Sequence, residues 1–329
     1  MLILEKIKSG RDLSFEEATD MFDQMLSGTI DELLAEAILL ALAEKGESEE
    51  EIAGSAQAMI GHAIPVNHKH DTLLDIVGTG GDNSGSFNIS TAAAIVCSTF
   101  VPVAKHGNRA VSSKSGSADV LEALGIPIEL NKDEAAEYLK KNNFVFLFAQ
   151  KYHPSMKSIA PVRKRLGRRT IFNLLGPLCN PAHPNCQVIG LFRNDFLPRY
   201  MAAIQHLNIP NAMVVSSYDG LDEVSISDKT RCCYKKEDSL EVFDFDPKEF
   251  GIYADKASVR GYEAATNADM MREMFIGQNH AALTDVVALN AAFGLKVSGV
   301  ESDLRQAFTL AKETIRSGKV YDKLQELTA

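Results

Sequence analysis

Leu73-Leu74-Asp75-Ile76-Val77-Gly78-Thr79-Gly80-Gly81-Asp82, followed by Ser86-Phe87-Asn88-Ile89-Ser90-Thr91, is the stretch on which the fold turns. Its run of Leu, Ile and Val predicts a buried strand over 73–77. Three glycines come next, and Ser90-Thr91 then stand where a helix N-cap belongs, ahead of Ala92-Ala93-Ala94-Ile95-Val96. Strand, glycine loop and helix start in that order build an anion site. Glycine lets the backbone turn sharply and present bare N–H groups, and the helix start adds unpaired donors and the positive end of a dipole. The spacing is neither G-x-G-x-x-G nor a Walker loop, because the glycines are crowded and no Lys-Ser/Thr closes the run. A ligand-free strand-to-helix turn would use the same glycines; Asp82 and the polar Asn88, Ser90 and Thr91 favour a metal-bound phosphate ester.

Downstream of this stretch, strands and helices alternate. Strands are expected at 73–77, 101–104, 144–148, 187–192 and 212–216, and helices near 90–99, 117–124, 133–142 and 195–207. That alternation implies a mostly parallel sheet flanked by helices. Residues Thr230 to Phe250 read as an antiparallel or irregular excursion, and the chain from Asn267 onward reads as helical. Upstream, Leu2 to about His62 carries only helical patterns. Ser14 and Glu17 form a capping-box signature, Ile30 to Ala43 keeps a helix period, and Glu49-Glu50-Glu51 suits a positive helix N-terminus. The expected fold class is therefore α/β, with a small all-helical N-terminal lobe and a large lobe built on a mostly parallel central sheet. The expected lobes are residues 1–65 and 71–329, with a helical excursion around 155–180 returning to the first. The break at Pro65 is a natural hinge for closure over a ligand.

Composition narrows the function. Of 329 residues, 45% are hydrophobic and 24% charged, ordinary for a globular protein with a sizeable core. A net charge of -10 speaks against a sequence-independent grip on nucleic acid, which needs a basic face. Charges interrupt every apolar stretch before it reaches membrane-spanning length, and the first ten residues lack the features of a signal peptide. The five cysteines form no C-x-x-C pair, which fits a reducing cytoplasm. His68 and His70 read as a surface pair in a loop rather than a metal site.

Three further segments carry chemistry. Lys105-His106-Gly107-Asn108-Arg109-Ala110-Val111-Ser112-Ser113-Lys114-Ser115-Gly116-Ser117 leaves a strand at its carboxyl end, where open α/β sheets bind ligands. Its cations and serines suit a loop over a polyanion, although a solvated basic loop would have the same composition. His153-Pro154-Ser155-Met156 precedes Val162-Arg163-Lys164-Arg165-Leu166-Gly167-Arg168-Arg169, mostly a solvated face from which an arginine fork can turn inward toward a carboxylate. Asn173-Leu174-Leu175-Gly176-Pro177-Leu178 then makes a turn that can wall a pocket. Tyr218-Asp219-Gly220-Leu221-Asp222-Glu223 follows a predicted strand, and its carboxylates at the strand's end suit hard cations such as Mg²⁺, which takes a few carboxylates plus waters and phosphate oxygens.

Taken together, Gly78-Thr79-Gly80-Gly81-Asp82, Asn88-Ile89-Ser90-Thr91, the Lys105–Ser113 loop, His153-Pro154-Ser155-Met156, Asn173-Leu174-Leu175-Gly176-Pro177 and Asp219-Gly220-Leu221-Asp222-Glu223 resemble the anthranilate phosphoribosyltransferase family across nearly the whole chain. The wider fold family includes pyrimidine nucleoside phosphorylases, whose second loop resembles Lys-His-Ser-Gly rather than Lys105-His106-Gly107-Asn108. The resemblance implies attack of the anthranilate amine on C1 of 5-phosphoribosyl 1-diphosphate (PRPP), with release of pyrophosphate, a step of tryptophan biosynthesis.

By the same resemblance, PRPP is contacted by Gly78, Gly81, Asp82, Ser86, Asn88, Ile89, Ser90, Thr91, Lys105, His106, Gly107, Asn108, Arg109, Ala110, Val111, Ser112, Ser113 and Ser117. Anthranilate is held by Gly78, Asn108 and Arg163, with His106 and His153 nearby, and Ser90, Asp222 and Glu223 ligate Mg²⁺. No residue is assigned as catalytic acid or base. The resemblance also implies a homodimer through the helical lobe. Two positions depart from the family pattern. Ser86 stands where Thr is more common, and Val214-Val215-Ser216-Ser217 replaces Val-Val-His-Gly. The rival readings are a pyrimidine nucleoside phosphorylase and a non-catalytic relative that binds nucleic acid.

Overall fold

The apolar run after Leu73 forms β1 (Leu74–Gly78), an interior strand of a seven-stranded sheet in the computed structural model, which describes residues 2–82, 84–110, 114–278 and 280–329. The other strands are β2 (Val103–Gly107), β3 (Phe144–Phe148), β4 (Cys186–Gly190), β5 (Asn211–Ser217), β6 (Thr230–Lys236) and β7 (Ser239–Phe245), in the order β3-β2-β1-β4-β5-β6-β7. The first five are mutually parallel, and β6 and β7 continue the sheet antiparallel as a hairpin. From β1 the chain steps outward to β2 and β3, then crosses back to lay β4 on the opposite side of β1. Strand order reverses there, and a crevice opens between the carboxyl ends of β1 and β4. Gly78 of β1 is in register with Gly190 of β4 at its mouth.

Alternation along each strand divides the core. Leu74 and Ile76 of β1, Cys186 and Val188 of β4, and Met213 and Val215 of β5 face one side. There they meet α5 (Ile89–Cys97), α6 (Ser117–Leu124), α12 (Ala264–Phe275), α13 (Ala281–Val297), α14 (Leu304–Arg316) and α15 (Lys319–Thr328). Nearly every residue of α13 is buried, so that helix lies inside the layer rather than on it. Ile189, Ala212 and Val214 face the other side, against α11 (Leu197–His206) and the N-terminal helices α1 (Leu2–Lys8), α2 (Phe15–Leu26), α3 (Glu32–Lys45) and α4 (Glu49–Gly61). The helix starts of α2 and α4 are fixed by capping boxes, Ser14 with Glu17 and Ser48 with Glu51. The chain then supplies α7 (Lys132–Asn142), α8 (Ala149–Tyr152), α9 (Met156–Leu166) and α10 (Phe172–Leu175); Ile159 and Val162 of α9 are buried in the same core as α2 and α3.

Two sequence expectations need correction. The second strand runs over 103–107 rather than 101–104, so Lys105 and His106 are buried strand residues and not part of a loop. The helix after the glycines begins at Ile89, which puts Ser90 and Thr91 in its first turn and Asn88 at the N-cap. Asn88 makes no side-chain cap. Its Oδ1 instead accepts from Asn267 Nδ2 at 2.8 Å and Ser115 Oγ at 3.2 Å, so its amide ties three segments together. The excursion from Thr230 is regular and antiparallel. Among the described residues no helix is long and apolar enough to cross a membrane.

Candidate active site at the carboxyl edge of the sheet

A cleft of about 820 Å³ opens over the carboxyl ends of β1, β2 and β5. All the described residues singled out for PRPP and metal line it, as do Gly78, Asn108, His106 and Arg163. Val111, Ser112 and Ser113 lie outside the described residues. His153 does not line the cleft; its ring packs behind His106, with centroids 5.1 Å apart. Loops from separate parts of the chain therefore share one rim, as the switch-point topology requires.

The floor of the cleft interlocks the glycine loop with the acidic turn after β5. Gly80 N–H donates to Asp222 Oδ2 at 2.7 Å, and Ser90 N–H, in the first turn of α5, donates to Glu223 Oε1 at 3.2 Å. This approach is tight enough that only glycine fits beside it. A Cβ on Gly78 would collide with the Asp222 carboxylate, and one on Gly190 with the Asp222 backbone carbonyl. Gly190, which sequence patterns alone do not flag, is thus a site residue; its signal is a glycine closing an apolar strand in register with Gly78. Gly80 and Gly81, at φ 70 and 73, take the left-handed conformation that the turn demands.

Charge is concentrated here. Burial first, then repulsion from Asp82 and Glu223, holds the Asp222 carboxyl far above its ordinary range. Burial also raises Glu223, against the pull of Lys105. The Lys105 ammonium is 1% exposed and reaches across β1 to donate to Ile76 O at 2.6 Å, with Ser90 Oγ at 3.4 Å. Burial lowers its pKa, while Asp75, Glu223 and Asp222 favour its charge. Asp75, inside β1, is pushed up to about 6 by burial, against Lys105 and a bond from Asn180 Nδ2 at 2.9 Å. These groups form one buried network whose acids outnumber its cation.

Toward the helical side, Arg163 of α9 lines the cleft with its guanidinium 5.1 Å from the Phe172 ring centre, and it has no acidic partner among the described residues. Burial pulls its pKa down, the mark of a cation held in a poorly solvated place. His106 Nδ1 lies 3.0 Å from Gly176 O; since a carbonyl only accepts, Nδ1 carries the proton and Nε2 is left as an acceptor. Neither His106 Nε2 nor either ring nitrogen of His153 has a partner among the described residues. Burial depresses both rings, His106 to about 3, helped by His153, and His153 to about 4, although the Cys179 backbone opposes it. Arg109, by contrast, spends its guanidinium on Asp119 at 3.0 Å and Glu122 at 2.8 Å.

The residues present fit Mg²⁺. Asp222 and Glu223 are covered carboxylates whose negative charge has too little compensation, and Ser90 offers a hydroxyl beside them. Among the described residues no three Asp, Glu, His or Cys side chains group closely enough to hold an ion unaided. That suits a hard cation completed by water and substrate phosphate oxygens rather than an all-protein cage.

Residues 70–321 match the family described as "Glycosyl transferase family, a/b domain", and residues 2–63 match its helical bundle domain. Anthranilate phosphoribosyltransferase from Lacticaseibacillus casei is 43% identical over 99% of this chain and 96% of its own. The enzyme of that name from Caldicellulosiruptor saccharolyticus is 43% identical over 98% and 96%. Among solved structures, anthranilate phosphoribosyltransferase from Thermus thermophilus superposes with a TM-score of 0.93 at 38% identity, covering 100% of both chains. The Saccharomyces cerevisiae enzyme, in complex with PRPP and Mg, does so with a TM-score of 0.90 at 28% identity, over 99% of this chain and 95% of that one. The chain belongs to the anthranilate phosphoribosyltransferase family.

Proposed function

We propose that the cleft between the β1 loop and the β5 turn binds PRPP and anthranilate and joins them, giving N-(5-phosphoribosyl)anthranilate and pyrophosphate for tryptophan biosynthesis. The observation that carries this reading is the interlock of Gly80 N–H with Asp222 and of Ser90 N–H with Glu223, which puts phosphate-type donors and metal-type acids on one floor. In this reading Asp222, Glu223 and Ser90 hold Mg²⁺, which supplies positive charge against the diphosphate. The glycine loop from Gly78 to Asp82, Ser86, the α5 N-terminus and the described residues of the β2 loop hold the phosphoribosyl part, and the loop amides stabilise negative charge as it collects on the leaving group. Ser86 keeps the hydroxyl of the commoner threonine, so that departure costs no donor.

Arg163 and Asn108 hold the anthranilate carboxylate, since the Arg fork matches it in shape and charge. The amine is already a neutral nucleophile, so the chain needs no strong base. His106 and His153 stay neutral through burial, His106 as part of the cleft wall held by Gly176 O and His153 as packing behind it. Orientation does the rest: holding the amine in line with C1 is worth up to roughly 7–11 kcal/mol in ideal cases.

The proposed units are residues 1–65, to which the helical excursion around 155–180 returns, and 71–329. Because α9 packs on α2 and α3, Arg163 moves with the helical unit, and hinge closure near Pro65 brings it toward the phosphate loop. A homodimer through the helical unit completes the proposal, supported by Leu2 at 89% and Leu33 at 72% exposure on that side. The direct test follows the loss of anthranilate fluorescence on mixing with PRPP and Mg²⁺. Phosphorolysis of thymidine with no anthranilate turnover would transfer the site to the nucleoside phosphorylase class.

A further inference from the structure

One wall of the cleft comes from none of the segments singled out above. Residues 256–261 run beside the glycine loop and bond to it through the backbone: Phe87 N–H donates to Val259 O at 2.8 Å, Gly261 N–H donates to Gly85 O at 2.8 Å, and Ser86 pairs antiparallel with Arg260. The approach leaves no space for a side chain at Gly261, where a Cβ would collide with the Ser86 carbonyl. Asn267 secures the far end, taking Tyr262 N–H on its Oδ1 and giving Nδ2 to Asn88 Oδ1, both at 2.8 Å. Lys256 secures the near end, donating from Nζ to Asp219 O at 2.8 Å, on the turn that leads to Asp222. The segment therefore bridges the two halves of the site.

Its charge answers a deficit. PRPP brings a phosphate at one end and a diphosphate at the other, while the cleft floor already holds Asp82, Asp222 and Glu223. Lys105 is surrounded by acids and Arg109 is bound to Asp119 and Glu122, so neither is free to meet a polyanion in full. Arg260 is different. It lines the cleft, it is exposed, and among the described residues it has no acidic partner, its nearest ring being Tyr262 at 5.9 Å.

We propose that Arg260, held against the phosphate loop by the 256–261 segment, is a further PRPP-binding residue that contacts a phosphate group of the substrate. This rests on the cleft being the PRPP site. A charge-assisted contact of this kind is worth roughly tenfold or more in affinity.

The test compares R260A and R260K with the wild-type enzyme, after matching melting temperatures, in steady-state kinetics and in calorimetric titration with inorganic pyrophosphate plus Mg²⁺. The proposal expects R260A to raise the KM for PRPP roughly tenfold and weaken pyrophosphate to a similar degree, with the anthranilate KM within twofold of wild type. R260K should recover most of the loss, and R260A should show a flatter dependence of PRPP KM on salt. Unchanged PRPP and pyrophosphate binding in a folded R260A would overturn it, as would equal losses for both substrates. So would an R260K as weak as R260A. If wild-type enzyme itself turns over no PRPP and binds no pyrophosphate, the assignment of the cleft has failed, a result distinct from any of these.

Discussion

Replacing Gly190 by alanine tests the geometry most directly, because it adds one methyl group and removes no functional side chain. Gly190 ends β4 opposite Gly78, and the backbone of Asp222 passes directly over its Cα. The added Cβ would sit inside the van der Waals envelope of the Asp222 carbonyl, and a backbone atom cannot rotate away as a side chain can. The acidic turn must retreat by about 1 Å or more, and a misplacement of that size costs on the order of a hundredfold in rate. Overpacking of this kind also costs about 1–3 kcal/mol of stability.

The assay is the fluorescence-monitored transfer reaction, run across a Mg²⁺ titration. G190A is expected to lose about a hundredfold in kcat/KM and to require more Mg²⁺ for half-maximal rate. G61A, at a helix position with open space around it, serves as the control and should behave as wild type. A G190A enzyme with wild-type rate, Mg²⁺ requirement and melting temperature would show that the turn does not press on β4, and the account of the cleft floor would fall with it.

Arg163→Ala should raise the anthranilate KM by about 10- to 100-fold, the value of a lost charge-assisted pair, and leave the PRPP KM nearly unchanged; an equal rise in both would refute the carboxylate role. Asp222→Asn and Glu223→Gln should each shift the rate-against-Mg²⁺ curve to higher concentration, and wild-type curves in both would remove these residues from the metal site. His106 and His153, held to about 3 and 4, should remain neutral to pH 5 in imidazole NMR spectra. A histidine depressed in the folded state binds fewer protons than in the unfolded chain, so stability is complete above pH ~6.5 and declines as pH falls toward the folded values. Between pH ~6.5 and 5 this amounts to at most about 2 kcal/mol per ring, and His153→Asn should flatten the decline in melting temperature; an unchanged slope would contradict the depressed value.

The stretch from Leu73 to Thr91 was legible because its signals are local. A buried parallel strand is a continuous apolar run, and the glycines that follow have few structural uses. Asp222 and Glu223 were legible for the same reason, as acids just beyond a strand. What escaped is what depends on partners far away. Lys105 breaks the apolar pattern of β2, and its burial makes sense only beside Asp75 on the neighbouring strand and the acids after β5. Ser90-Thr91 look like the helix cap by sequence, yet the N-cap position falls on Asn88, whose side-chain oxygen is claimed by Asn267, 179 residues on. Gly190 and Arg260 matter through what passes over them or faces them, and no window of neighbouring residues reports that.

The distribution of charge also bears on which form of the substrate the cleft accepts. With Asp82, Asp222 and Glu223 on its floor and Lys105 already surrounded by acids, the empty cleft opposes a bare diphosphate at its deepest point. Asp222 and Glu223, raised toward protonation by burial, recover their full charge when a divalent cation sits against them, so metal and diphosphate favour each other's binding. Free pyrophosphate should therefore bind far more weakly without Mg²⁺ than with it. In Asp222→Asn the ratio of the two affinities should shrink, because the mutation removes the repulsion and the metal contact together. A diphosphate that bound equally well with and without the cation would mean that the acids do not face it.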